Sequence, residues 1–383
     1  MTASDIRATF SIAALFSLRM LGLFMILPVF TLYAHTLNGA TPFLIGAALG
    51  VYGLTQAVFQ LPFGALSDHY SRKKIIALGF GIFIAGSFIA AGAHSIYSMM
   101  AGRALQGAGA VGSTLIALLT DLIRPEKRAR CMALLGMTIG CSFFLAFLLG
   151  PLLQPRIEVH GIFVLSGILG ICAIVLLYTV VPSPVQTVPV TFSPPQFKSD
   201  VKLLLKNKQL LSLNLGIFCL HAILTASFIV IPLSVSGWTV YLVPLLISFL
   251  LTFVFIGIAE KTKKVFPAYF LSMTGLIIAQ LWLWHFQPHI TGLTLFFLSF
   301  NLMEAMLPSL VSRLAPAALK GTALGIYSTC QFAGIFLGGL AGGLVYQYFA
   351  PPIVLLSCAL LGIVWLGLSL IIRFSRRTLW QEV

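Results

Sequence analysis

Of the 383 residues, 59% are AVILMFWYC and only 8% are Asp, Glu, Lys or Arg, with a mean hydropathy of +1.03; soluble domains carry roughly 25% charged residues. So little charge cannot clothe a soluble surface, and apolar stretches of ~20 residues follow one another, matching a ~30 Å hydrocarbon layer, which excludes a soluble globular protein. The net charge of +14 would suggest nucleic acid in a soluble chain, but the placement of the charges excludes that reading as well.

In chain order, the apolar segments predict an all-α integral membrane protein of twelve transmembrane helices. They lie at about 10 to 34, 42 to 66, 75 to 94, 96 to 120, 130 to 154, 160 to 182, 210 to 235, 239 to 259, 265 to 286, 290 to 312, 321 to 349 and 353 to 373. Counted over alternate connections, 20 of the 23 Lys and Arg fall on one side and one, Arg156, on the other; Arg19 and Arg103 lie inside spans. That asymmetry is the positive-inside pattern, so both termini are expected in the cytoplasm, with attraction to anionic lipid a secondary consequence. The first segment lacks a small-residue cleavage site and reads as a retained helix. All six cysteines fall within spans, so no disulfide framework or CxxC metal site is indicated, and His285 and His289 beside an outer turn need not bind metal.

Span one carries Arg19 in its inner half, a cation that either binds an anionic substrate or pairs with Glu304. Span two holds Gly46 and Gly50 at four-residue spacing and the amides Gln56 and Gln60. After it, "GALSDHYSRKK" (64 to 74) packs an acid, an arginine and two lysines into one turn. A carboxylate there suits a helix N-terminus, and Asp68 is placed to cap span eleven, while Arg72 is placed to pair with Asp121 at the end of span four as a latch. Span four carries "RALQGAGAVG" (103 to 112) about two turns from its outer end; an arginine in hydrocarbon costs at least ~2.5 kcal/mol, so Arg103 should face inward and find a partner. Span five has Gly136 and Gly140 and ends "FLLGPLL", with Gly150 and Pro151 as hinge or packing residues.

The longest polar connection, 183 to 209, is rich in Ser, Thr and Pro and then basic and amphipathic, with a short surface helix expected at 197 to 208. It divides an N-terminal six-helix bundle (1–182) from a C-terminal one (210–383), and nothing resembling a soluble domain follows span twelve. A weak echo between 118 to 136 and 309 to 327 fits two repeats about an axis along the membrane normal, an arrangement that places a binding site at the repeat interface. In the second half, His221 lies mid-span in span seven, either a proton relay or a satisfied core histidine. Of nine acidic residues only Glu304, in "NLMEAMLP" of span ten, lies within a span. A carboxyl alternating between dry and cation-lined surroundings loads and releases a proton, so Glu304 is the first candidate for coupling; a structural hydrogen bond or ion pair is the alternative. Asn214, Gln280, Asn301, Gln331, Tyr52 and Tyr327 are further polar groups within spans, and Gly334, Gly338 and Gly342 give span eleven a close-packing face.

These segments resemble a known family. Gly64, Leu66, Asp68, Arg72 and Lys73 match the loop signature of the major facilitator superfamily, with His69 and Ser71 departing from it; Arg103, Gln106 and Gly107 match its span-four motif; and Gly150 with Pro151 partly matches the Gly-Pro signature of proton-coupled exporters. Along the whole chain, "FSLRMLGLFMILPVF", "GVYGLTQAVFQLPFGALSD" and "SFNLMEAMLPSLVS" look like the bacterial YajR-type inner-membrane transporters, classed with drug-proton antiporters. The resemblance implies a monomeric inner-membrane secondary transporter that works by alternating access and exports small molecules in exchange for protons, without cofactor. A proton-linked importer or a uniporter of a metabolite is the competing expectation. No GxxxxGK[ST], HExxH or GxSxG occurs, which argues against an ATP-driven pump and an intramembrane enzyme.

Overall fold

The structure, a computed structural model, describes residues 3–182, 194–235, 237, 239–262, 264–286, 289–316 and 319–374. Their regular structure is helical, with one isolated bridge between Asn38 and Ser95. The chain forms two compact units, Met1–Thr41 with Ala47–Phe192, and Pro42–Gly46 with Ser193–Val383.

In the first unit, α1 (Ala3–Phe24) stops where Pro28 approaches, because proline lacks an N–H and disfavours helix in the residue before it; i→i−3 turns at Leu27 and Val29 lead into a short α2 (Phe30–Ala34). The expected continuous span 10 to 34 is therefore a helix broken before its outer end. α3 (Pro42–His69) and α4 (Arg72–Ala91) are each one span. The expected span 96 to 120 is also two helices, α5 (Ile96–Ala108) and α6 (Gly112–Leu122). A reciprocal capping box between Ser95 and Ser98 starts α5. It ends at Gly109, whose missing Cβ would sit 2.3 Å from the Gly79 carbonyl oxygen of α4, so backbone meets backbone at the break.

α7 (Pro125–Thr179), 55 residues long, is two spans, not one. Its ends meet the start of α1, through Thr9 donating to Cys131 Sγ and Arg7 Nε donating to the Val180 carbonyl at 3.0 Å. Its middle meets α1's other end: Ser166 donates to the Gly22 carbonyl, and a Cβ on Gly150 would strike Met25 O at 2.0 Å. The chain thus doubles back at Glu158, whose φ of 57° and ψ of −178° lie in backbone territory that glycine favours. Buried Ile12, Leu15, Phe80, Leu115, Leu118 and Leu177 form the core that joins α1, α4, α6 and α7.

In the second unit, α8 (Pro194–Lys206) is the short linker helix, shifted a few residues toward the N-terminus from expectation; linker residues 183–193 and the tail after 374 lie outside the described residues. Asn207 ends α8 and caps α9 (Lys208–Ser234) by accepting from the Gln209 and Leu210 N–H groups. α9 is the buried element, with 89% of its most apolar window inside, against 28 to 56% for the other spans. Around it pack α12 (His289–Leu314), α13 (Lys320–Tyr348) and α14 (Pro351–Phe374), while α10 (Thr239–Lys261) and α11 (Val265–His285) flank α12. Added Cβ atoms at Gly334 and Gly338 would fall 2.3 and 2.4 Å from the carbonyl oxygens of Phe218 and Ala222, so α13 lies backbone to backbone on α9. Gly136 and Gly140 have open space instead; their spacing does not mark a close helix contact. Among the described residues, eleven helical stretches are long and apolar enough to cross a membrane, and the one folded at Glu158 makes twelve passes.

Candidate functional site

Polar side chains that the apolar periodicity cannot explain gather at three places. At one end of the first unit, α3, α4 and α6 meet around Arg72. Its Nε donates to Asp121, and its Nη1 donates to Asp68 at 3.1 Å and to Ser67 Oγ at 2.9 Å. Ser67 Oγ in turn donates to the Gly64 carbonyl at 2.7 Å, and no side chain stands on Gly64 to separate α3 from Ser113, 3.5 Å from where a Cβ would be. One guanidinium thereby ties the ends of three helices. Arg72 and Asp121 keep 17% and 15% of their side chains exposed, so water screens the pair and its worth is about 1 kcal/mol. Beside it, Lys73 Nζ donates to the Val181 carbonyl at 2.6 Å, closing α4 onto the end of α7.

Deeper in the same unit lie the two intramembrane arginines, with 2% and 3% of their surface exposed. Arg19 Nη2 donates to Gln56 Oε1 and, at 3.2 Å, to Tyr52 OH. Arg103 Nη1 donates to Gln106 Oε1 at 3.0 Å, and its guanidinium carbon stands 4.9 Å from the centre of the Tyr52 ring. The Gln106 amide continues to Ser87 Oγ at 2.8 Å. Tyr52 therefore serves both cations, one through its hydroxyl and one through its ring face. Every one of these partners is neutral, and within this unit no carboxylate among the described residues lies at ion-pair distance from either arginine. Each guanidinium also keeps a buried Nε with no hydrogen-bond partner among the described residues. Burying one arginine costs at least ~2.5 kcal/mol, and neutral partners recover only part of that.

In the second unit, Glu304 of α12, His221 of α9 and Gln331 of α13 come together. Gln331 Nε2 donates to Glu304 Oε1 at 3.2 Å and stands 2.9 Å from His221 Nε2. An amide nitrogen is a donor only, so with this orientation His221 Nε2 is the acceptor and its proton sits on Nδ1. The 3.8 Å approach of His221 Nε2 to Glu304 Oε2 then joins a neutral ring to a carboxyl and becomes an ion pair only if histidine is protonated. His221 is 2% exposed and packs on Phe300 at 5.5 Å between ring centres, whereas Glu304 keeps 35% of its side chain exposed. Asn301, one turn before Glu304, is half-buried and makes no side-chain hydrogen bond among the described residues.

The sequence-predicted residues thus separate into the groups Gly64, Asp68, Arg72 and Asp121; Arg19, Gln56 and Arg103; and Glu304 with His221. Gly150 packs on Met25 at the end of α1 with Pro151 next to it inside α7, and Gly338 and Gly342 pack on α9. Sequence reasoning passed over Ser67 and Ser87. Ser87 had a signal, as a lone hydroxyl in an otherwise apolar span.

Twelve apolar passes among the described residues, in two units, with buried charge held on polar partners and not on any metal-ligand cluster among those residues, are the features of a multi-pass membrane protein. The sequence profile of the Major Facilitator Superfamily matches residues 12–339, and the chain belongs to that family of secondary transporters. It is 43% identical over 381 residues to the inner membrane transport protein YajR of Escherichia coli (strain K12), covering 96% of this chain and 84% of that one. It is 36% identical over 347 residues to an uncharacterized transporter of Buchnera aphidicola subsp. Acyrthosiphon pisum (strain APS), covering 87% of this chain and 89% of the other. Among solved structures, the crystal structure of an auto inhibited POT family peptide transporter superposes with a TM-score of 0.76 at 13% identity, covering 97% of each chain, a likeness of fold alone. These relatives make this a multi-pass inner-membrane protein.

Proposed function

We propose that this transporter exports small molecules in exchange for protons by alternating access, with Glu304 as the group that takes up and releases the proton. The observation that carries the reading is the Glu304–Gln331–His221 cluster: a carboxyl in mid-span, held by an amide and facing a histidine, with part of its side chain open. A carboxyl is kept in a span at a cost that structure alone seldom repays, and proton relays are a principal use of such residues. In this reading the Arg72–Asp121 pair holds one access state, with Asp68 accepting from the same guanidinium and α13 starting after Leu319 without a side-chain cap, and Gly150 and Pro151 with Gly338 and Gly342 shape the helices that move. Both termini face the cytoplasm, following the 20 to 1 distribution of basic residues over the two sets of connections. The protein acts as a monomer, with substrate, protons and membrane lipid as its partners and no nucleic acid.

The test is transport in proteoliposomes under an imposed pH gradient, followed with an internal pH-sensitive dye. Glu304→Gln, a fixed mimic of the protonated acid, should lower gradient-driven substrate flux at least about tenfold while leaving ligand binding measurable. Undiminished driven flux in that variant would remove Glu304 from the coupling role. The direction of substrate movement relative to the gradient separates export from the importer that the incomplete Gly-Pro signature keeps in view.

A further inference from the structure

The geometry points to the Arg19–Tyr52–Arg103 cluster of the first unit as the contact point for an oxyanion, the carboxylate, phosphate or sulfonate of an organic substrate. The inference rests on the transporter reading and names the chemical class of what is carried.

Three sources of positive potential converge there. Two are the buried guanidiniums, whose partners are all neutral and whose Nε atoms are unsatisfied among the described residues. The third is the start of α6: the chain breaks at Gly109–Val111, and Val111 supplies no side-chain cap, so the first turn of an 11-residue helix presents its N–H groups uncapped by that residue. The break lies against Arg19, since a Cβ on Gly112 would stand 3.7 Å from Arg19 Nη1. The bare Gly112 leaves room beside the guanidinium where any other residue would put a side chain.

A structural role for the two arginines predicts counter-charges close by, and the first unit supplies none among its described residues. Arg19, held through Nη2 by Tyr52 and Gln56, is instead fixed in orientation with Nε and Nη1 left to donate, and Arg103, held through Nη1 by Gln106, keeps its Nε–Nη2 edge for two-point contact with a carboxylate or phosphate. Tyr52, touching both cations, sets their spacing and is a positioning residue. The same oxyanion chemistry belongs to free organic anions and to anionic lipid headgroups, and the experiment separates the two.

Purified full-length protein is titrated in detergent with benzoate, succinate, glycerol 3-phosphate and toluenesulfonate, with tetraphenylphosphonium as the cationic control, following binding by calorimetry and by shift of Tm. It is titrated in parallel with vesicles of phosphatidylcholine with and without phosphatidylglycerol. Saturable binding of at least one soluble anion is expected, weakened roughly tenfold to a hundredfold in Arg19→Gln and partly restored in Arg19→Lys, which keeps charge but loses the fork. Loss confined to phosphatidylglycerol would assign the oxyanion site to lipid. Binding of tetraphenylphosphonium alone overturns the proposal, as does anion binding unchanged in Arg19→Gln. So does an Arg19→Gln defect in stability that Glu304→Gln repairs, for that marks an ion pair. If Arg19→Gln does not fold, Gln56→Leu, which leaves the charge and removes its positioning bond, carries the same comparison. Anion binding accompanied by ligand-dependent proton flux that stays undiminished in Glu304→Gln would sink the coupling proposal and leave this one standing; ligand-dependent proton flux with tetraphenylphosphonium and no anion binding would do the reverse.

Discussion

Arg72 shows how one residue converts a loop motif into mechanics. Its five donors in a planar fork reach an acid on each of two helices and the hydroxyl of Ser67, which lysine, a point donor, cannot do. Arg72→Ala and Asp121→Asn should each destabilise the purified protein modestly, and the double variant should be no worse than either single, giving a coupling of about 1 kcal/mol in a thermal or denaturant double-mutant cycle. Strictly additive losses would show that the pair is not formed in solution. The acid, the arginine and their spacing were legible in the chain, because charges are rare in it and these stand together. Glu304 was legible for the same reason, as the only acid inside a span. What no spacing could give was its company: Gln331 and His221 come from α13 and α9, and which face each helix turns toward α12 is settled by tertiary packing.

At the scale of elements, the contact of α9 with α13 depends on the absence of side chains. A Cβ on Gly338 would sit 2.4 Å from the Ala222 carbonyl oxygen, a distance no rotamer change relieves because the obstacle is backbone. Gly338→Val should therefore separate the helices, lowering Tm by several degrees and reducing transport, whereas Gly136→Val, with open space at the same atom, should be close to silent. Equal effects of the two substitutions would remove the distinction. Hydropathy located nearly every element but missed the two breaks within spans. The chain stays apolar across Leu27–Val29 and Gly109–Val111, so a window that averages hydrophobicity passes over both. Pro28 was the readable signal at the first; at the second the glycines Gly107, Gly109 and Gly112 were the local signal, and the close approach of the Gly79 backbone to Gly109 was not legible.

At the scale of the whole molecule, the asymmetry of basic residues predicts which surfaces each connection faces. With Cys141 and Cys172 replaced by serine, a cysteine at Thr262 should resist a membrane-impermeant maleimide in intact cells and react after permeabilisation, while one at His94 should react in both. The opposite pattern would invert the topology. The class of molecule was readable from composition because lipid, as solvent, imposes the strongest constraint on the chain, and the order of spans followed from length alone. The doubling back of α7 at Glu158 carries a consequence for biogenesis. Its two passes share a turn with no residues to spare, and their far ends are both fastened to the start of α1. That geometry predicts that the two passes leave the translocon as one hairpin, received by a helix synthesised about a hundred residues earlier, so crosslinking of stalled chains to the translocon should show both passes released together and not one after the other.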